Sequence, residues 1–261
     1  MPHPDSTLLR SLNTAIDDGL RAALGEARRV SLVHFPDPDS PGEPAAWLGT
    51  RIALRRLGVR VAYQCLSETL CTEAVDGPLL LADGVTVGPD VPVVALAELK
   101  APPLALALGA LPRLGNIEVD VLWLCADGAP PEDVSSRVVS WESPEFGYTP
   151  RQRMTALANA ELRSRAFRDP DFARRTWRAL SATFVPLSKA HVQYALTVLG
   201  GGRVVVTDDL HAHLLALLAG IPHVVVGEQA GWVTESSLVR VAADLDSGRE
   251  LALELLCSSS D

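Results

Sequence analysis

Residues 204–226 read VVVTDDLHAHLLALLAGIPHVVV, and this one stretch narrows the folds open to the chain. Two short β-branched runs flank an apolar helical segment, so the strands lie parallel and the helix is the crossover between them. Strands this apolar are buried on both faces, which requires helices above and below a parallel sheet. Asp208 is expected to cap the helix and Asp209 to occupy its first position, where its charge suits the helix dipole. Leu210, Leu214, Leu217 and Leu218 form the core-facing stripe. Gly220 and Pro222 stop the helix before the second strand.

The same alternation recurs upstream. Leu8, Leu9, Leu12, Ile16, Leu20 and Leu24 mark an amphipathic helix over 7–27, with Gly25 as its stop. RRVSLVHF (28–35) is a strand, PDPDSPGEP a loop, 45–57 a helix ending at Gly58, and VRVAYQC (59–65) the next strand. GPLLLADG (77–84) and VDVLWLCAD (119–127) are further strands, while VPVVALAEL is apolar sequence of undecided type. GAPPEDVSS and WESPEFGYTP carry the Pro, Gly and acids of a linker. Helices are expected from Pro150 to about Ala166, over 169–182 and over 189–201, and one or two more in the tail 234–256. This order predicts an α/β protein of two Rossmann-like domains, residues 1–140 and 141–261.

The chain of 261 residues carries 32 acidic and 23 basic residues, a formal net charge of −9. Nucleic-acid binding rests on clustered cations, so that class is excluded. Cys65, Cys71, Cys125 and Cys257 form no C-x-x-C pair and no zinc spacing, so neither a metal nor a disulfide is expected. Scattered thiols and the polar N-terminus predict a cytoplasmic protein, and no apolar run reaches the roughly 18 residues of a membrane span. Neither G-x-G-x-x-G nor G-x-x-x-x-G-K-[ST] occurs, so no cofactor is predicted.

Two places remain as candidate sites. His211 falls in the first turn of a helix at the carboxyl end of a strand, the edge where open α/β sheets bind ligands. His213 lies two residues on and points to nearly the opposite side, so the two cannot share a metal on this helix. His223 is expected to pack or cap. The second place is HFPDPDSPGEPAAWLG (34–49), which feeds another helix from another strand. There Asp37, Asp39, Gly42 and Glu43 are ligand-neighbour candidates, and Trp47 is expected in the core. Asp127, Glu132 and Asp133 read as a solvated loop.

These two places carry a family resemblance. The 204–226 stretch is similar to a segment of the polysaccharide pyruvyl transferase family that reads approximately V-T-D-R-L-H-[AG]-H-I-L-x-L-L-x-G-I-P-H-V-V. VHFPDPDSPGEPAAWLGTRIALRRLG (33–58) resembles the family's first strand, N-x-G-D loop and following helix, and 104–127 resembles the segment leading to its R-x-D-K-E motif. The resemblance implies a GT-B-like pair of domains with the site between them. It implies ketal transfer of a pyruvyl group from phosphoenolpyruvate to a sugar hydroxyl. His211 would be the catalytic residue, with Asp208, Asp209, Leu210, Gly42 and Glu43 around the substrates.

The departures from the pattern concentrate on charge. Asp209 replaces the family's arginine, Ala126 stands where R-x-D-K-E begins, its lysine is missing, and Trp232 replaces another lysine. The first domain is shortened between LLLADGVTVGPD and LALALG. Each charged hydrogen bond to a buried anion contributes roughly 1.5–3 kcal/mol. Two such losses lower donor affinity by about two to four orders of magnitude. The alternatives are therefore a catalytically degenerate relative acting as a binding or partner subunit, as a homo- or hetero-oligomer, or a transferase with another donor.

Overall fold

The apolar strand runs assemble into two sheets, both wholly parallel, in a computed structural model that describes residues 3–33, 35, 42–81, 93–96, 99, 101–141, 147–227 and 236–258. The first sheet has the order β2-β1-β3-β4, with β1 Arg29–Val33, β2 Arg60–Cys65, β3 Leu79–Leu81 and β4 Val93–Ala95. The second has the order β6-β5-β7-β8-β9, with β5 Val119–Leu124, β6 Ser136–Val138, β7 Gly202–Thr207, β8 His223–Val226 and β9 Val239–Ala242. The α/β class with two helix-flanked parallel sheets, as predicted, is what the chain adopts.

Period-two alternation decides which core each strand residue joins. Leu122, Leu124 and Val205 enter a large cluster that also holds Leu32 and Leu80 of the first sheet. Val121, Trp123, Val204 and Val206 point the other way, onto helix α6 (Leu245–Ser258). Val33, Tyr63, Leu79 and Leu81 make the corresponding outer cluster of the first sheet. One apolar core thus runs unbroken from the inner face of one sheet to that of the other. Helices α1 (Ser6–Leu24), α2 (Gly42–Arg56) and α5 (Leu210–Leu218) are embedded in it.

Helix α1 buries Leu9, Leu12, Ile16, Leu20 and Leu24, the stripe expected from its spacing, and stops at Gly25 with φ 55°. Ahead of it, the His3 ring meets the Leu217 carbonyl at 2.7 Å, and the Asp5 carboxylate accepts hydrogen bonds from the hydroxyls of Ser236 and Ser237. The chain's beginning is therefore tied to the second sheet's crossover. Helix α2 passes close to the 3-10 turn at Leu104–Leu108, because a Cβ on Gly49 would stand 1.9 Å from the Leu104 carbonyl oxygen.

Several elements differ from the sequence expectation. β6 lies inside the stretch read as a linker, pairing in parallel with β5. Since β5 and β6 both precede residue 140, that expected boundary does not coincide with the change of sheet. β9 forms in the tail read as helical, because Val239 and Ala242 face inward while Arg240 and Val241 face out. VPVVALAEL contributes β4.

Helix α3 (Pro150–Arg168) begins on a Thr149–Gln152 capping box, as a helix at Pro150 requires. The two helices expected over 169–182 and 189–201 are one helix, α4 (Pro170–Gly200), which runs through Pro186. Pro186 and Ala182, the residue whose carbonyl loses its partner, are both exposed, so water can satisfy that carbonyl. Among the described residues no helix is long and apolar enough to cross a membrane.

Candidate functional site

Helix α5 starts where β7 ends, and its first turn is built by two aspartates with separate tasks. The cap is Asp209, not Asp208 as expected: its carboxylate accepts the Ala212 N–H at 2.6 Å. The Asp209 backbone N–H donates to the Thr207 hydroxyl at 3.0 Å, and the Trp141 indole N–H reaches the same carboxylate at 3.4 Å. Asp208 turns the other way and accepts the Ala126 N–H at 3.1 Å, joining the carboxyl ends of β5 and β7. Beside it, burial and the Asp208 charge push the Cys125 thiol up to about 12, so this cysteine stays a neutral thiol.

Leu210 packs against the main core as a partly buried side chain, and His211 follows it, half-buried. The His211 ring lies on Gly42, the first residue of α2. A Cβ at position 42 would come within 1.9 Å of its Cγ and 2.1 Å of its Nδ1. The structure therefore brings the two separately predicted places into contact. Helix α2 begins three residues earlier than its expected start at 45, so Gly42 and Glu43 belong to its first turn rather than to the preceding loop. The first turns of two helices meet at His211, that of α5 capped by the Asp209 carboxylate and that of α2 carrying Glu43.

His213 and His223 lie behind this surface. The His213 Nδ1 and His223 Nε2 are 2.7 Å apart, and the His223 Nδ1 is 2.7 Å from the Ile221 carbonyl. A carbonyl can only accept, so His223 donates from Nδ1, and its Nε2 receives the proton of His213 Nδ1. Burial pushes His213 down to about 3, helped by His223, and pushes His223 down to about 4 against the opposing pull of the Ile221 bond and the Asp5 charge. Both rings are neutral at neutral pH. This pair links α5 to β8 and is a structural element, as expected for His223.

Trp47 is in the core, as read from the sequence, beside Phe35 and Phe184, whose rings stack at 4.3 Å. Trp141, which holds the Asp209 cap, was not singled out by any sequence signal; its place in a Pro- and acid-rich stretch concealed it. Asp37, Asp39 and Trp232 lie outside the described residues. No group of three or more metal-ligating side chains occurs among the described residues.

No family model matches the chain. A stretch of 54 residues, 20% of the chain, is 43% identical to Pyruvyl transferase 1 of Schizosaccharomyces pombe, and it spans 14% of that protein. The similarity is thus to a small part of that protein.

Proposed function

We propose that the chain is a polysaccharide pyruvyl transferase-like protein in which His211 moves the proton that starts ketal transfer. The observation that carries this reading is the contact of Gly42 with His211, because each residue comes from a separate segment resembling that family. The short similarity to a pyruvyl transferase supports the same reading. In this reading the two sheets are the halves of a GT-B-like pair, divided near residue 118 where the chain enters the second sheet.

The chemistry fits a half-buried imidazole between helix N-termini. A proton added to the methylene carbon of phosphoenolpyruvate leaves a cation at the neighbouring carbon, which a sugar hydroxyl attacks. Phosphate then departs, a second hydroxyl of the sugar closes the ketal, and the two hydroxyl protons balance the new methyl C–H and the released phosphate. Histidine is the side chain suited to passing such protons near neutral pH.

A second reading, a relative that binds without turnover, is favoured by one observation: at 126 and 209, where the pattern places cations, stand an alanine and an anion. Calorimetric titration with phosphoenolpyruvate, followed by phosphate release with candidate sugars, separates the two. Saturable binding with turnover that His211→Ala abolishes, at unchanged thermal stability, is the expected result. No saturable binding at millimolar donor overturns the transferase reading, and turnover retained by His211→Ala removes His211 from the mechanism.

A further inference from the structure

A concave site lies along the C-terminal half of helix α2. It is an open cleft with a volume of about 630 Å³, bounded by α2, the start of β2 and the middle of α4. Ile52 and Val59 are among the apolar residues of its walls, and Arg51, Arg55, Arg60 and Lys189 are its charged lining. No acid lines it, in a chain where acids outnumber bases 32 to 23. Neighbouring cations are paired: Arg56 with Asp17 at 2.6 Å, and Arg29 with Asp76 at 2.8 Å. Arg55, Arg60 and Lys189 have no ion-pair partner among the described residues.

Arg51 forms the fixed part of the site. Its guanidinium lies over the Trp47 ring at 4.8 Å and donates to Gln64 at 3.1 Å and to the Ser181 hydroxyl at 3.0 Å. Burial, with the Arg55 charge beside it, lowers its pKa. A bland explanation covers only part of the cluster. Arg55 in the last turn of α2 suits the negative end of that helix dipole. Arg60 opens a strand and Lys189 sits on α4, so the dipole of α2 accounts for neither.

We propose that this cavity binds an organic phosphate with an apolar body, its head among Arg55, Arg60 and Lys189 and its body against the apolar walls. The volume is in the usual range for small-ligand pockets, roughly 300–1,000 Å³. The site is separate from that at His211: Gly42 and Arg55 lie thirteen residues apart on one helix, about 20 Å at the α-helical rise. It rests on no assumption about the reaction there.

The test is calorimetry on the intact chain with octyl phosphate below its micellar concentration, inorganic phosphate and the neutral octyl glucoside. Octyl phosphate is expected to bind saturably and at least tenfold more tightly than inorganic phosphate. The triple variant Arg55→Ala, Arg60→Ala, Lys189→Ala changes solvent-facing side chains and is expected to weaken that binding about tenfold or more. His211→Ala should leave it unchanged. Equal binding of octyl glucoside, full binding by the triple variant, loss in His211→Ala, or no binding of octyl phosphate each overturns the proposal. Co-sedimentation with phosphatidic acid vesicles distinguishes the source. Vesicle binding that needs the three cations, without binding of octyl phosphate, also overturns it and assigns them to a membrane surface.

Discussion

Replacing Gly42 by alanine puts a methyl group into space that the His211 ring occupies. The new Cβ would stand 1.9 Å from Cγ, 2.1 Å from Nδ1 and 2.3 Å from Cδ2. Carbon atoms rest at about 3.5–4.0 Å, so the ring has to retreat by roughly 1.5–2 Å. His211 is only half-buried and can swing outward, at about 0.5–1.5 kcal/mol for an off-rotamer side chain. Gly42 is the first residue of α2, so alanine recovers less than the roughly 0.5–1 kcal/mol of a helix interior, and the net loss should stay below about 1.5 kcal/mol. A catalytic group moved by about 1 Å costs on the order of 10² in rate, so phosphate release should fall at least that far. Imidazole NMR on protein labelled at its six histidines reads the displacement without relying on activity. The His211 resonances should shift in Gly42→Ala while those of His213 and His223 stay in place. Unmoved His211 signals in the folded variant refute the contact, and a stability loss above about 3 kcal/mol shows that the ring is locked into the core instead.

Three further outcomes follow from particular contacts. Asp209→Asn should keep the cap and change unfolding free energy by less than about 0.5 kcal/mol, whereas Asp209→Ala should lose about 0.5–2 kcal/mol in urea denaturation. Because His213 and His223 are held near 3 and 4, their unfolded forms bind protons first as pH falls below about 6.5. The stability they support is whole above pH 7 and declines from about 6.5 toward 4, with a slope of up to roughly 1.4 kcal/mol per pH unit for each ring. Urea midpoints at pH 5 and 7 check this, and His213→Asn should about halve the difference. Pro186→Ala should raise stability by about 1–3 kcal/mol, since it restores the N–H that the Ala182 carbonyl lacks; a thermal midpoint that falls would contradict the reading of α4.

Legibility in the sequence followed burial. β5, β7 and β8 are apolar on both faces and are plain from their continuous apolar runs, as the stripe of α1 and the crossover helix α5 are from their spacing. β6 and β9 are edge strands of the second sheet with exposed residues at Val138, Arg240 and Val241, so their apolar signal is half as strong as that of a central strand. Pro186 misled for a related reason: proline breaks a helix when its neighbours are buried, and only packing tells which face it occupies. At the site, the residue types were legible but their meeting was not. Nothing local in SPGEP or DDLHAH indicates that Gly42 will lie on His211, because that contact forms only when two sheets share one core.

The same long-range geometry changes the meaning of Asp209. Read along the chain, an aspartate in place of an arginine signifies repulsion of an anionic donor. In the fold its carboxylate is turned into the helix, accepting Ala212 N–H and facing the Trp141 indole N–H. A charge neutralised by two donors and by the positive end of α5 repels far less than a free carboxylate facing a ligand. An arginine could not accept those bonds, so restoring the family pattern by Asp209→Arg exchanges a cap for a cation. The departure at 209 thus belongs to how α5 is started.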